Sequence, residues 1–245
     1  MVVILKIYSK TDVGKVRSSN QDAYFAGEIV PNGALAIVCD GMGGANAGNV
    51  ASETAIKIIS EYILRSYRAG MDEFETEKMI KNAVISANME IYDMAVKTPN
   101  LSGMGTTVVV ALVINSLAVI AHVGDSRAYL VDDDLKQLTR DHSVVQSLLE
   151  SGKITPEDAK VHPRKNVITR ALGAEENVLI DCTSITLEEG QTLLLCTDGL
   201  SSYADSSSIL NVLNTTNPAD VPNELVNLAN LGGGGDNITV LTVSL

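Results

Sequence analysis

Apolar residues in this chain occur in two textures, unbroken short runs and helical repeats, and the alternation between them lays out the elements. Leu35–Cys39 is an apolar run bounded by Gly33 and by Asp40-Gly41, which reads as a buried strand. A glycine-rich loop, Gly41-Met42-Gly43-Gly44, follows it. From about Asn46 to Arg65 the positions Val50/Ala51, Ala55, Ile58/Ile59 and Tyr62/Ile63 recur at helical spacing and predict an amphipathic helix. A second helix is predicted from about Asp72 to Lys97. Ile80, Ala83/Val84, Ala87, Ile91 and Met94/Ala95 share one of its faces, and Pro99 stops it. Strands Thr106–Ile114 and Leu117–Val123 flank Asn115-Ser116, a tight hairpin turn. Ser126–Val131 and Leu135–Leu138 repeat the pattern around Asp132-Asp133-Asp134. Successive hairpins of this kind build an antiparallel sheet.

The texture changes between residues 139 and 173. Apolar density falls, and Gly152, Pro156 and Pro163 punctuate short helical pieces. This stretch is expected to be an insertion or mobile flap, where substrate contacts often lie. Strands return at Val178–Leu187 and Thr192–Cys196, helices near Ser206–Leu213 and Pro222–Leu231, and a closing strand at Ile238–Leu245. No internal repeat or low-complexity linker divides the chain, so residues 1–245 are expected to form one domain carrying the flap at about 139–173. The order of elements predicts an α+β fold, with helices covering antiparallel sheet.

With 245 residues the chain can bury a core without disulfides or metals as staples, so a metal site in it is expected to be functional. A net charge of −12 argues against nonspecific nucleic-acid binding, which needs clustered Lys and Arg. Cys39, Cys182 and Cys196 lie in apolar runs and form no Cys-x-x-Cys pair; they read as buried small hydrophobes in a reducing cytoplasm. The opening Met-Val-Val-Ile-Leu-Lys-Ile has neither a preceding basic region nor a small-residue cleavage site. The longest apolar region, Val108–Val123, is broken by Asn115-Ser116 and carries His122, so it is not expected to span a bilayer. A cytoplasmic monomer without nucleic-acid or membrane partners is the expectation.

Aspartates recur where the apolar runs end. Asp40-Gly41, Gly124-Asp125 and Asp198-Gly199 each follow a strand, and Gly235-Asp236-Asn237 precedes the last one. Any one of these is explained by the turn it occupies. Four at strand ends can converge on one point, and converging carboxylates repel one another unless cations neutralise them. Oxygen-only ligation, with no His-x-His or cysteine cluster, points to a hard cation such as Mg²⁺ or Mn²⁺ rather than zinc. The adjacent glycines let backbone carbonyls approach a metal. Such a pair of ions could activate a water for phosphoryl transfer. Near the N-terminus, Arg17-Ser18-Ser19-Asn20-Gln21-Asp22 sets a cation beside a carboxylate; Arg17 either offers a fork to phosphate or is an ordinary surface arginine.

Taken in order, Arg17-Ser-Ser-Asn-Gln-Asp22, Asp40-Gly-Met-Gly-Gly44, Gly103-Met-Gly-Thr-Thr107, Gly124-Asp-Ser-Arg127, Asp141-His142, Thr197-Asp-Gly-Leu200 and Gly235-Asp-Asn-Ile-Thr-Val240 resemble the type 2C metal-dependent (PPM) serine/threonine protein phosphatases, particularly their compact bacterial members. The resemblance implies a four-layer α/β/β/α sandwich, two central antiparallel sheets flanked by helices, with a metal site at one sheet end. It implies Mn²⁺ or Mg²⁺ as cofactor, two core ions and a more labile third. Asp40 would bridge the two core ions, with the Gly41 carbonyl assisting one, and Asp198 and Asp236 would ligate the other. Asp125 would help bind the third ion, sharing Asp198, and Asp22 would hold metal-bound water. Arg17 would grip the substrate phosphate. The implied reaction is in-line attack by metal-activated water on phosphoserine or phosphothreonine, without a phosphoenzyme. The implied partners are a bacterial Ser/Thr kinase and its phosphorylated targets.

One position departs from the pattern. Many eukaryotic relatives carry a histidine after the Asp-Gly pair as general acid, and here Met42 stands, whose thioether cannot donate a proton. His142 and His162 lie in or beside the flap and His122 lies within a strand; none is assigned catalysis. Two other readings compete. Gly41-x-Gly43 opening a helix, with Glu61 about twenty residues on, echoes a dinucleotide fingerprint, but Asn46 holds the third glycine position and the antiparallel meander contradicts a doubly wound sheet. A regulatory relative that lost catalysis would not need every aspartate.

Overall fold

The computed structural model describes residues 5–29, 33–44 and 47–245. Its strands pair into two antiparallel sheets. The first runs, in spatial order, β1 (Lys6–Asp12), β11 (Ile238–Ser244), β10 (Thr192–Cys196), β7 (Arg127–Val131) and β8 (Leu135–Gln137). The second runs β2 (Asp22–Glu28), β3 (Gly33–Met42), β5 (Val108–Ile114), β6 (Leu117–Val123) and β9 (Asp181–Thr186), with the short β4 (Gly105–Thr106) paired to β3.

The unbroken apolar runs follow from burial on both faces, which removes any need for polar alternation. Leu35, Ile37 and Cys39 of β3, with Val108, Val110 and Leu112 of β5, pack under α1 (Ala47–Ser66) and α2 (Glu73–Lys97). The alternate residues, Ala34, Ala36, Val38, Val109, Ala111 and Val113, meet Leu193, Leu195, Leu241 and Val243 of the other sheet. The outer positions of that sheet, Leu194, Cys196, Ile238 and Val240, pack under α6 (Ser206–Thr215) and α7 (Val221–Leu231). Three apolar layers thus separate helices, sheet, sheet and helices, the four-layer α+β sandwich that the motifs imply.

The long helices follow their sequence pattern. Ala51, Ala55, Ile59 and Ile63 form a buried stripe on α1, and Ile80, Ala83, Val84, Ala87 and Ile91 one on α2. Asp72 and Glu75 close a capping box at the start of α2, worth about 1 kcal/mol. The residue at which the sequence starts α1, Asn46, lies outside the described residues, as do residues 1–4. Among the described residues no helix is long and apolar enough to cross a membrane.

Several boundaries differ from the sequence reading. β1 and β2 were not anticipated: both are only half-buried, and neither carries the dense apolar run of the central strands. The strand expected over Thr106–Ile114 breaks at Thr107, whose amide and hydroxyl both turn to Asp40. The strand expected over Val178–Leu187 shortens to β9; Val178 and Ile180 pack onto the helical side while still in loop. A one-turn helix, α5 (Asp198–Ser201), was also missed.

Residues 139–173 contain α3 (Val144–Glu150), capped by Ser143, and α4 (Pro156–Val161), closed by a Thr155–Asp158 capping box. The two ends of this segment are stitched together: Val144 N–H donates to Val167 O (2.9 Å) and Thr169 N–H to His142 O (2.7 Å).

Candidate active site

The strand ends deliver five aspartates to one end of the sandwich. Asp22 and Asp40 are register partners across β2 and β3. Asp198 opens α5 directly after β10, Asp125 follows β6, and Asp236 precedes β11. Asp40, Asp125, Asp198 and Asp236 line a cleft of about 300 Å³, together with Gly41 and Arg17. Asp22 lies behind that cleft. Its Oδ2 accepts hydrogen bonds from Thr197 Oγ1 (2.9 Å) and Thr239 Oγ1 (2.7 Å).

The backbone around the cluster is fixed by hydrogen bonds between segments distant in sequence. The Asp40 amide donates to Thr107 Oγ1 (3.0 Å), and its carbonyl accepts from Thr107 N–H and Thr106 Oγ1 (2.9 Å each). Asn237 ties the Arg17 loop to the start of β11: its Nδ2 donates to Val13 O (2.9 Å) and Ser19 O (3.0 Å), and its Oδ1 accepts from Gln21 N–H (2.8 Å). Gly41 is required by crowding, since a Cβ there would lie 2.1 Å from Gly48 O; at Gly199 it would lie 1.9 Å from Asn237 O. Arg17 Nη2 donates to Asp236 Oδ2 (2.8 Å), with half of its side chain exposed. Of these holding groups, Thr107, Thr197, Thr239 and Asn237 were missed as contributors. All lie inside motifs quoted above, and only their partners, distant in sequence, give them a role.

The electrostatics of the cluster are unfavourable for protein alone. Burial first, and then the charges of Asp198 and Asp236, push Asp22 up to about 7 against the hydrogen bonds from Thr239 and Thr197. Burial and the Asp198 and Asp141 charges raise Asp125 to about 7, and burial with Asp236 raises Asp198 to about 6. Asp40 is raised well above the ordinary carboxylate value by burial and by Asp22. Asp22 Oδ1 and Asp198 Oδ1 are buried and meet no hydrogen-bond donor among the described residues. Buried acceptors without donors, on carboxylates that repel each other, fit hard divalent cations.

The histidines form a separate group. His122 and His142 stack with ring centroids 4.7 Å apart, and both are buried. His142 Nδ1 accepts from Gly124 N–H (3.1 Å), which puts the proton of the neutral ring on Nε2, facing Asp181 Oδ2 (3.1 Å). His122, His142 and Asp181 are close enough to share a metal, but Arg170 already donates to Asp181 Oδ1 (2.8 Å) and lies beside His142 Nε2. The protein thereby supplies its own cation there. His142 instead fastens the first residues of the 139–173 segment to the strand end that carries Asp125.

Residues 14–228 match the family profile of protein phosphatase 2C. The serine/threonine phosphatase stp of Listeria monocytogenes is 41% identical over 239 residues, covering 96% of this chain and 93% of the relative. The Mycobacterium tuberculosis serine/threonine phosphatase PstP/Ppp superposes with a TM-score of 0.89 at 36% identity, over 99% of both chains. The catalytic domain of PstP solved in complex with two manganese ions matches with a TM-score of 0.85 at 35% identity, covering 98% of this chain and 97% of that one. The chain belongs to the protein phosphatase 2C family. Its activity is accordingly that of a metal-dependent phosphatase acting on phosphoserine and phosphothreonine in proteins.

Proposed function

We propose that Asp40, the Gly41 carbonyl, Asp198 and Asp236 hold two core ions, Mn²⁺ or Mg²⁺, and that Asp125 and Asp198 share a third. The observation that carries this reading is the buried Asp198 Oδ1, which meets no donor among the described residues and lies among carboxylates whose charges oppose one another. Bound there, divalent cations supply a water activated for attack and neutralise charge building on phosphate oxygens. Arg17 sits at the cleft mouth with a fork that matches two phosphate oxygens, and exchanges Asp236 for substrate as phosphate enters. Asp22, clamped by Thr197 and Thr239 behind the cleft, accepts from a water held at the site. Water attacks phosphorus, the bond to the serine or threonine oxygen breaks, and no side chain carries the phosphoryl group. Met42 lines the cleft without a proton to give, so the leaving alkoxide takes its proton from water.

The same reading makes residues 1–245 one catalytic domain whose segment 139–173 borders the cleft through Asn166 and Ile168. It also places the protein in the cytoplasm as a monomer that reverses the work of a bacterial Ser/Thr kinase. Retention of all five carboxylates speaks against an inactive relative. The test is hydrolysis of p-nitrophenyl phosphate with Mn²⁺ or Mg²⁺ and after chelation, alongside calorimetric metal titration of wild type and Asp198→Ala. Metal-dependent release that disappears with Asp198→Ala, together with a lost binding site, is expected. Undiminished release by that variant would overturn the assignment.

A further inference from the structure

A second cavity, about 330 Å³, adjoins the catalytic cleft, and Met42 and Ile168 line both. Its other apolar lining comes from Ala171, Ala174, Val178 and Leu179. Its cation is already engaged, since Arg170 donates to Asp181. The wall is preformed. Asn88, buried in α2, donates to Glu175 O (3.1 Å) and Glu176 O (2.9 Å) and accepts from Gly173 N–H (2.8 Å). Gly173 has φ +81°, and a Cβ there would strike Ile91, so the loop is held in one shape. Leu179, 72% exposed, stands at the rim. Met42 packs against Gly105, where an added Cβ would lie 2.8 Å from its terminal methyl, so its flexible thioether forms part of the divide between the cavities.

We propose that this cavity receives an apolar side chain of the protein substrate, close in sequence to the phosphorylated serine or threonine, with Met42 as the adaptable wall that sets the fit. The proposal rests on the reading of the neighbouring cleft as the phosphate site. A chain whose phosphate enters that cleft must lay its flanking residues across the rim. The opening continuous with the cleft joins six apolar residues to Thr169, Arg170, Glu175 and Asn177, is pre-organised, and is of a size for a small ligand group.

The test uses phosphothreonine peptides with Leu, Ala or Glu at each flanking position, measured on wild type and on Leu179→Asp, an exposed position whose change leaves the core untouched. The readout is kcat/KM for each peptide relative to p-nitrophenyl phosphate. At one flanking position leucine is expected to exceed alanine by about tenfold, the worth of burying the larger side chain, and Leu179→Asp to abolish that difference. No preference at any position, or a preference that survives Leu179→Asp, overturns the proposal. Fluorescence anisotropy of the labelled leucine and alanine peptides gives the same comparison as a ratio of Kd values. Failure to hydrolyse either kind of substrate would therefore count against the metal-centre reading, while the Kd ratio still decides the pocket.

Discussion

Asp22 and Asp40 face each other across neighbouring strands, two carboxylates at directly paired positions of the β2–β3 ladder. Like charges directly opposite one another destabilise a sheet, and burial makes the pairing costlier. Thr197 and Thr239 satisfy one oxygen of Asp22, and its other oxygen is left buried without a donor among the described residues. The pair is a stability cost carried by the three apolar layers behind it, which is characteristic of a site built for cations.

Removing one charge from that pair should therefore separate stability from function. Asp22→Asn keeps an oxygen for the two threonines while deleting the repulsion. In protein without added metal its Tm is expected to rise by roughly 2–4 °C, the shift about 1 kcal/mol produces in a domain of this size. Its Mn²⁺-stimulated activity is expected to fall. A thermal melt in chelator that shows a lower Tm for the variant would contradict this account.

Acidity and metal should be linked with a definite sign. Asp198 is raised to about 6 and Asp22 to about 7 from an ordinary 3.8, so the folded chain holds protons that the unfolded chain has released. These groups therefore contribute stability at low pH that is lost as pH rises from about 4 through about 7. Cations that replace those protons restore it. The Tm gain on adding Mn²⁺ is expected to be larger at about pH 7.5 than at about pH 5.5. Calorimetric melts at the two pH values check it, and an equal or reversed gain would disprove the linkage.

Arg17 is half exposed and touches Asp236 through one nitrogen, so its loss costs the fold little. Arg17→Ala is expected to lower kcat/KM for phosphopeptides roughly 10- to 100-fold, the worth of a charged hydrogen bond to substrate. Arg17→Lys should recover only part of this, because an ammonium cannot form the paired contact. Steady-state kinetics on both variants would show it.

Asn88 makes a structural prediction independent of the metals. Its side chain is buried and makes three hydrogen bonds to the loop after Leu172. Asn88→Ala leaves those backbone groups without their partners and is expected to cost about 2–3 kcal/mol. Urea unfolding measures that loss, and a change within about 0.5 kcal/mol would show that the loop does not depend on this clamp.

Much of this protein was legible one-dimensionally. The helical stripes of α1 and α2 and the doubly buried runs of β3, β5, β6, β10 and β11 announce themselves because full burial demands near-continuous apolar sequence. The half-buried β1 and β2 did not, since their sequences are shaped by one covered face and by the site they border. Asp40, Asp125, Asp198 and Asp236 were legible because each interrupts the chain at a strand end beside a glycine.

The sequence by itself determined the two long helices, the doubly buried central strands and the acidic residues available at their ends, since these depend on local periodicity and on which residue types sit where the strands stop. Tertiary structure alone decided that Asp22 lies opposite Asp40, that Thr239, 217 residues away, caps it, and that Met42 divides two cavities. It also decided that the histidines brace the start of the 139–173 segment while Arg170 donates to the Asp181 carboxylate beside them. Those relationships depend on strand register and on contacts across large sequence separations, where hydrogen-bond geometry and desolvation act through space and leave no periodic trace in the chain.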